Sequence, residues 1–422
     1  MEMITIMKKG ILVLGLIYIV TIICWFITPP ISEISFINQI SQCMGALALV
    51  GFAYMGFIST RHNLVDELFN GLDKAYVAHK WLGIGSIGLV IVHLVLLGVD
   101  RANSAVVVES TAKIPGGAIS LLLFVVLILI AILAKKMDYE NWKTVHKFMA
   151  IPYAVGLLHY YNASSYELFG FSSFSIWMNL INLIGMASIV YSIFIYEITA
   201  FPFRYTVSDI KHVSKETLQI TGKASGKSIL FKPGQFTFLK FPKIEKKFTS
   251  HPFTMSEEPQ AGMLQFTIKN LGDHTSMLIK TIKPGDEFVV TPPHGMFDYT
   301  KGEKHQIWIA GGIGITPFRS FYRAGIPPEF SIDFFYSYRG MEEGVYLDEM
   351  RALQENNLRL HLIDSTEQGR LTVEKIKEHI TTESPVDIYF CGPKIMRDSL
   401  QKEFKSSGIP VLGFHFEEFQ FK

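Results

Sequence analysis

Two pairs of histidines stand out in the first half of this chain, because each pair lies on a long hydrophobic stretch. His79 and His93 share one stretch, and His146 and His159 share another. Polar side chains inside a membrane usually face the protein interior with a partner or a function. Two facing stretches, each with an upper and a lower imidazole, therefore predict two bis-imidazole sites that suit six-coordinate haem iron. The alternative is four interior histidines that the protein satisfies by hydrogen bonds.

Helix geometry treats the two pairs differently. His79 and His93 are fourteen residues apart, so on a helix their side chains point to within about 40° of the same face. Along the helix axis they are separated by about 21 Å. On a straight helix, His146 and His159 would point about 140° apart. Pro152 lies between them, and a proline kink can re-aim one end of a helix, which the sequence permits without requiring it. His62 has no such partner, and we interpret it as an interface or loop residue.

Six segments are hydrophobic and long enough to cross a hydrocarbon core of about 30 Å. They are residues 10–28, 36–59, 76–98, 118–136, 142–161 and 175–199. Lysine and arginine concentrate at one end of these spans, so the positive-inside rule predicts cytoplasmic termini. We therefore expect a multi-pass protein of the cell (plasma) membrane. His79 and His146 would lie near the cytoplasmic face, and His93 and His159 near the outer face.

Composition excludes several classes of protein. The formal net charge is +1, so a nucleic-acid partner is not indicated. The three cysteines, Cys24, Cys43 and Cys391, form no C-x-x-C, C-x-x-C-H, zinc or iron–sulfur pattern. The histidines therefore remain the best candidates for metal ligands.

The second half of the chain reads as a soluble sequence with two parts. After about Phe201, short β-type segments separated by turn residues predict a small antiparallel barrel. From about Lys304, strands alternate with helical or loop stretches, which indicates a parallel sheet of nucleotide-binding type. We predict three domains: a membrane domain over 1–200, a β-barrel over 201–300 and an α/β domain over 301–422.

Four short motifs in this half suggest binding sites. They are PGQF at 233–236, HPFTMS at 251–256, GGIGITPF at 311–318 and CGP at 391–393. The third follows a predicted strand and precedes a helix, so its backbone can approach a pyrophosphate at a helix N-terminus; a structural glycine turn is the alternative. The tail FHFEEFQFK is aromatic, which suits a docked edge strand or a lid over a planar ring.

In this order, the soluble motifs resemble those of the ferredoxin–NADP reductase superfamily. With the four-histidine membrane half in front, nearly the whole chain resembles the ferric reductase/NADPH oxidase family, and most of all its compact bacterial NADPH oxidases. The resemblance implies a six-helix transmembrane bundle of ferric reductase type. A ferredoxin–NADP reductase-like module would follow, with an antiparallel β-barrel flavin domain and an α/β nucleotide-binding domain. The implied cofactors are FAD, NADPH and two b-type haems.

The resemblance also implies roles for particular residues. His79 with His146 would ligate the inner haem, and His93 with His159 the outer haem. Thr254 would lie near the flavin ring, Cys391 would approach the nicotinamide, and Phe419 would cover the flavin, with Phe421 as the alternative. The remaining FAD contacts implied are His251, Pro252, Phe253, Ser256, Lys269, His274, Thr275 and Ser276. The remaining NADPH contacts implied are Gly311, Gly312, Gly314, Thr316, Pro317, Ser337, Arg339, Gly392 and Pro393.

Of these, Ser337 and Arg339 are placed to read a 2′-phosphate, because guanidinium binds phosphate in bidentate fashion. This is a weak preference for NADPH over NADH, and a surface salt bridge is the alternative role for Arg339.

The electron balance predicts the reaction. NADPH gives up two electrons as a hydride and a haem iron takes one, so a flavin is needed between them. We predict a transmembrane NADPH oxidase that passes electrons to dioxygen and produces superoxide. A ferric-chelate reductase, or a donor to another outer-face acceptor, is the first alternative. A transporter or a haem-binding scaffold without turnover is the second.

Two comparisons within the resemblance bear on the acceptor and on regulation. The animal oxidases have a further histidine one helical turn beyond the outer ligand, and here that position is Leu97. This departure argues against a dedicated oxygen pocket, although outer-sphere transfer needs no ligand. The chain has no Ca²⁺-binding loop of the EF-hand pattern, so we predict no calcium switch. We also predict activity without obligatory protein subunits.

Overall fold

The computed structural model describes residues 8–103, 116–133, 139–245, 250–353, 357–380 and 384–417. The chain forms two compact units, residues 3–198 and residues 199–421. The first unit is helical, and the second contains two β-sheets with helices. The predicted site residues Phe419 and Phe421 lie outside the described residues.

The described part of the first unit is built from helices. They are α1 (Lys8–Ile27), α2 (Phe36–Ser59), α3 (Asn63–Phe69), α4 (Leu72–Asn103), α5 (Gly116–Leu133), α6 (Tyr139–Lys147), α7 (Ala150–Ala163), α8 (Ser173–Val190) and α9 (Tyr196–Thr199). A π-helical turn, Tyr191–Ile195, joins α8 to α9. Among the described residues, α1, α2, α4, α5 and the continuous α8–α9 helix are long and apolar enough to cross a membrane. Five of the six predicted spans are thus confirmed as single helices.

The predicted span over 142–161 is not a single helix. It is divided between α6 and α7 at Phe148 and Met149. Pro152 has no N–H to donate to the carbonyl of Phe148, and its ring would clash with that oxygen in a continuous helix. The chain instead makes tighter bonds three residues apart, from the N–H of Met149 to the carbonyl of His146 and from the N–H of Ile151 to that of Phe148.

Local capping signals set the ends of several membrane helices. The Ser35 hydroxyl accepts from the N–H of Asn38 at the start of α2, and Ser172 caps α8 through the N–H of Ser175. His62 performs the same role for α3, because its Nδ1 accepts from the N–H of Leu64. Side-chain caps of this kind satisfy backbone donors that a helix leaves free. The interpretation of His62 as a residue outside the histidine pairs agrees with this position.

In the second unit, six antiparallel strands form the predicted barrel. They are β1 (Phe203–Ser214), β2 (Thr217–Ala224), β3 (Phe236–Lys240), β4 (His251–Thr254), β5 (Met263–Lys269) and β6 (Glu287–Val290), in the order β4-β3-β6-β1-β2-β5. An antiparallel bridge between Met255 and Phe266 joins the two ends of this order and closes the sheet. Alternate residues point inward and form an apolar core that includes Tyr205, Phe266 and Phe288. α10 (Asp273–Thr281) follows β5.

The rest of the unit is the predicted parallel sheet. Its elements are β7 (His305–Gly311), α11 (Ile315–Arg323), β8 (Ser331–Tyr338), α12 (Leu347–Arg351), β9 (Leu358–Asp364), α13 (Val373–Lys377), β10 (Val386–Cys391), α14 (Lys394–Ser406) and β11 (Val411–Phe416). The strand order is β11-β10-β7-β8-β9, with all neighbours parallel. The order reverses between β7 and β10, and ligands of such sheets bind at the carboxyl ends of the strands at this switch point.

Candidate functional site

The four membrane histidines meet in two pairs. The ring centroids of His79 and His146 are 6.0 Å apart, and those of His93 and His159 are 6.5 Å apart. Imidazole binds metals at about 2.0–2.1 Å, so two rings on opposite sides of one ion have centres roughly 6 Å apart. Both separations therefore suit an iron atom between the rings. Each pair takes one ring from α4. The second ring comes from α6 for His79–His146, the predicted inner pair, and from α7 for His93–His159, the predicted outer pair.

His93 is held in an orientation that suits a metal ligand. Its Nδ1 lies 2.8 Å from the backbone carbonyl oxygen of Ser41. A carbonyl only accepts, so Nδ1 carries the proton and Nε2 keeps its lone pair for a metal. The Ser41 hydroxyl donates in return to the carbonyl of His93 at 2.8 Å. This reciprocal pair of bonds joins α2 to α4 and fixes the ring.

The imidazole rings of His93 and His159 each pack against a glycine, which leaves room for the ring. A Cβ atom on Gly117 would lie 2.8 Å from Nε2 of His159, and one on Gly45 would lie 3.4 Å from Nδ1 of His93. Each outer histidine thus lies over a glycine of another helix, α5 for His159 and α2 for His93. A larger residue at position 117 would displace the His159 ring.

The inner pair has a different environment. The Trp142 ring stacks on His146 with centroids 5.0 Å apart. Nδ1 of His146 is buried without a hydrogen-bond partner among the described residues. The described residues contain no group of three or more His, Cys, Asp or Glu side chains that could hold a metal ion. The donor set is therefore two separate imidazole pairs, which fits axial ligation of a macrocycle that supplies the other four ligands itself.

The predicted dinucleotide motifs meet at the switch point of the parallel sheet. A Cβ atom on Gly314 would lie 2.1 Å from the carbonyl oxygen of Cys391, and one on Gly392 would lie 3.0 Å from the backbone nitrogen of Gly311. The turn after β7 therefore packs directly on the end of β10. Gly312 has φ +55°, a left-handed conformation that glycine adopts without strain. Thr316 and Pro317 occupy the first turn of α11, and a helix N-terminus is the end that attracts an anion.

A buried carboxylate that the sequence did not reveal lies beside Cys391. Glu417 follows β11 and is only 6% exposed. A Cβ atom on Gly295 would lie 2.5 Å from its Oε1. Burial and this nearby negative charge raise the pKa of the Cys391 thiol well above its ordinary value. The one signal in the sequence is that Glu417 is an acidic residue within an aromatic tail.

We expect Cys391 to resist alkylation in the folded protein. A thiol reacts as its thiolate, and a raised pKa lowers the thiolate fraction at any pH below it. At pH 8, iodoacetamide should modify Cys391 more than about ten-fold more slowly than an ordinary free cysteine. Peptide mass spectrometry of the full chain measures this, with the urea-unfolded protein as the reference. Equal rates in the folded and unfolded protein would contradict the burial of the thiol.

The predicted flavin motif carries a stacked histidine pair. His251 opens β4, and its ring stacks on His274 of α10 with centroids 3.6 Å apart. Nε2 of His274 lies 2.9 Å from Oε1 of Glu245. Burial raises the pKa of Glu245, although the hydrogen bond from His274 opposes this. Oε2 of Glu245 and Nδ1 of His274 are buried without hydrogen-bond partners among the described residues, so this polar pocket can accept a ligand group.

Other predicted flavin contacts already have protein partners. Nζ of Lys269 lies 3.0 Å from Oε2 of Glu343. The Thr275 hydroxyl accepts from the N–H groups of Leu271 and Gly272 and closes the loop before α10. The Ser256 hydroxyl accepts a hydrogen bond inside the barrel from that of Thr267. Their roles as flavin contacts remain predictions, as do those of Pro252, Phe253, Thr254 and Ser276.

The two residues predicted to bind a 2′-phosphate lie at the end of β8. Ser337 is the second-to-last residue of β8. Arg339 is the first residue after the strand, and its side chain is exposed. Arg339 lines an open cleft of about 330 Å³ with Lys215 of the barrel and with the 340–343 segment. Two cations at one cleft fit a phosphate, but Glu342 and Glu343 line it as well. Pro393 begins the loop into α14 beside the glycine turn.

Comparison with protein families identifies three consecutive segments. Residues 44–157 match the ferric reductase-like transmembrane component, residues 203–309 match an FAD-binding domain, and residues 308–402 match an oxidoreductase NAD-binding domain. Together these matches describe a ferric reductase-like transmembrane segment followed by FAD-binding and oxidoreductase NAD-binding domains. This is the domain architecture of ferric reductase/NADPH oxidase-family flavocytochromes.

Individual relatives match about half of the chain. Flavohemoprotein A of Dictyostelium discoideum is 24% identical over 216 residues, which cover 46% of this chain and 54% of that protein. The toluate 1,2-dioxygenase electron transfer component of Pseudomonas putida is 24% identical over 230 residues, which cover 51% of this chain and 67% of that protein. The chain thus spans between about half and two thirds of the length of these relatives.

Solved structures also match about half of the chain. A ferredoxin NADP⁺ reductase from Neisseria gonorrhoeae, with bound FAD and NADP, is 19% identical with a TM-score of 0.43, and covers 50% of this chain and 97% of that one. Phthalate dioxygenase reductase is 20% identical with a TM-score of 0.42, and covers 51% of this chain and 68% of that one.

Proposed function

We propose that this protein is an NADPH oxidase that passes electrons across a membrane, through FAD and two b-type haems, to dioxygen on the outer face. The observation that carries the proposal is the pairing of histidine rings at 6.0 and 6.5 Å on opposite halves of one membrane unit. The proposal places this unit in the plasma membrane with both ends on the cytoplasmic side. Lys9, Arg61, Lys74 and Lys147, at one end of the spans, support that orientation.

Each of the four histidines would supply one imidazole ligand to a haem iron. His79 and His146 would hold the inner haem, and His93 and His159 the outer one, because these are the rings that face each other. Ser41 would keep His93 in the tautomer that binds iron through Nε2. Along α4 the two sites are separated by about 21 Å, so the chain offers one site near each face of the membrane.

Hydride chemistry would take place at the soluble unit. FAD held by the barrel would supply the conversion between the two-electron chemistry of NADPH and the one-electron chemistry of haem iron. The Gly311–Gly314 turn and the first turn of α11 would bind the dinucleotide pyrophosphate through backbone N–H groups. The buried thiol of Cys391 would border the nicotinamide without ionising. The net reaction converts one NADPH and two dioxygen molecules into NADP⁺, a proton and two superoxide ions.

The ferric-chelate alternative differs only in the acceptor. Leu97 lies one turn beyond His93 on α4, where a polar side chain would be needed to hold oxygen in a dedicated pocket. Both oxygen and a ferric chelate can take an electron from an exposed haem edge, so the acceptor has to be measured.

The test is reduction of cytochrome c by the purified full chain with NADPH and FAD in air, with and without superoxide dismutase. We expect a spectrum of two b-type haems and a signal that the dismutase abolishes. A signal that survives the dismutase would replace the oxidase proposal with direct electron donation to the added acceptor. A preparation that binds neither haem nor flavin would overturn the electron-transfer proposal. Activity of the chain alone would support the expectation that no partner subunit is required.

A further inference from the structure

Arg319 is a buried arginine that contacts both parts of the soluble unit. It lies on α11 and is 4% exposed. Nε lies 3.0 Å from Oε1 of Glu349, and Nη2 lies 3.0 Å from Oε2 of Glu349 and 3.1 Å from Oε2 of Glu257. Nη1 donates to the backbone carbonyl of Ser256 at 2.6 Å and to Oε1 of Gln265 at 2.7 Å. Four N–H groups of the guanidinium therefore donate hydrogen bonds, and Glu257 adds an ion pair at Nη2.

The partners of Arg319 come from both domains of the soluble unit. Ser256, Glu257 and Gln265 belong to the flavin barrel, and Ser256 is the last residue of the HPFTMS motif, two residues after β4. Glu349 belongs to α12 of the nucleotide-binding domain. Burial alone would raise the pKa of Glu257, but the hydrogen bond from Arg323 and the charge of Arg319 outweigh it and hold that pKa below its ordinary value. The buried charges are therefore compensated.

Tyr346 completes the same cluster. The guanidinium carbon of Arg319 lies 4.3 Å from the centre of the Tyr346 ring, within the range of a cation–π contact. The Tyr346 hydroxyl bonds Oε1 of Gln219 at 2.9 Å and Oγ1 of Thr267 at 2.6 Å, both on the barrel. Tyr346 has φ +62°, a left-handed conformation that is rare for a bulky residue. The surrounding contacts hold this strained conformation at the end of the loop that starts at Arg339.

We propose that Arg319 and Tyr346 are positioning residues that set the distance between the nicotinamide and the flavin. Arg319 lies on the same helix as Thr316, one turn after the dinucleotide turn, and reaches the backbone of the flavin motif directly. One side chain therefore connects the two ligand-binding segments through a single rigid helix. Tyr346 makes a second connection, from the loop after β8 to the barrel wall. This inference rests on the proposed function, because it concerns hydride transfer from NADPH to FAD.

Lysine cannot reproduce this arrangement. It carries the same charge but has three donors at one point, whereas the guanidinium forks toward both domains. An Arg319→Lys variant keeps the dinucleotide turn and the flavin motif intact and loosens only the connection between them. A displacement of about 1 Å between reacting groups can lower a rate about 100-fold. Hydride transfer should therefore respond more strongly than the binding of either ligand.

The experiment is anaerobic stopped-flow reduction of the flavin in the full chain, over a range of NADPH concentrations and with NADPH deuterated at the transferred position. For Arg319→Lys we expect the limiting rate to fall about 10- to 100-fold. The deuterium isotope effect should rise, while the NADPH dissociation constant and FAD content stay near wild type. For Tyr346→Phe, which keeps the ring but loses the two barrel bonds, we expect a smaller fall of the same kind.

Arg359→Lys is the matched control, because Arg359 is exposed on β9 and forms its bidentate pair with Asp333 of the neighbouring strand. The change removes a bidentate pair within one domain, so the limiting rate should stay near wild type. Wild-type limiting rates and isotope effects in both Arg319→Lys and Tyr346→Phe would overturn the inference. Tyr346→Phe decides alone if Arg319→Lys does not fold. If NADPH did not reduce the flavin of the wild-type protein, that result would instead refute the proposed function.

Discussion

Replacing His159 by leucine should halve the haem content of the protein and stop electron transfer across the membrane. Leucine keeps the apolar volume but has no lone pair for iron, so only the outer haem loses a ligand. The inner pair, His79 with His146, is contributed by α4 and α6 and does not depend on His159. NADPH should therefore still reduce the flavin, and reduction of cytochrome c should fall to the level without enzyme. Haem per protein, flavin reduction and cytochrome c reduction measure the three effects.

The same result is expected for His93→Leu, because its ring faces that of His159 at 6.5 Å. His62→Asn is the control: His62 caps α3 through its Nδ1, and asparagine is an equally good capping residue. This variant should keep both haems and full activity. A His93 or His159 variant that retains two haems would show that the axial ligands lie elsewhere. Loss of both haems in one variant would show that the two sites do not form independently.

Gly314→Ala should abolish reduction of the flavin by NADPH. The added Cβ would lie 2.1 Å from the carbonyl oxygen and 2.5 Å from the carbonyl carbon of Cys391, both backbone atoms of β10. Neither atom can move without separating β10 from β7 at the switch point. We expect a loss of about 3 kcal/mol or more of stability, the upper range for overpacking a tight site. Thermal unfolding of the nucleotide-binding domain and titration with NADPH measure the loss.

Gly312→Ala separates this steric effect from the loss of glycine itself. Gly312 lies in the same turn with φ +55°, and a Cβ there would meet no atom within 4 Å. Alanine at this position costs only the left-handed conformation, about 1–2 kcal/mol. The variant should therefore unfold at a higher temperature than Gly314→Ala. If the two alanine variants behaved alike, the close approach of Gly314 to Cys391 would not govern the site.

Periodicity and motif order predicted much of the architecture. Long apolar runs predicted six spans, and among the described residues five of them are single helices long and apolar enough to cross a membrane. They are visible in the sequence because the bilayer imposes a length and a composition. Short strands with turn residues predicted the antiparallel barrel, and alternating strands and helices predicted the parallel sheet. The family matches then confirmed the ferric reductase-like, FAD-binding and NAD-binding segments in the predicted order.

The sequence by itself determined where residues lie along a single helix or strand. The rise per residue of each element fixes these positions. The sequence could not determine how His146 and His159 turn toward α4, since that depends on the break that Pro152 enforces between α6 and α7. Nor could it show Glu417 beside Cys391, Lys269 paired with Glu343, or Arg319 between two domains. These residues are far apart in the chain. Only tertiary packing decides which of them meet. A buried charge without a partner is costly, so a stable fold places a partner beside it, however distant that partner is in the sequence.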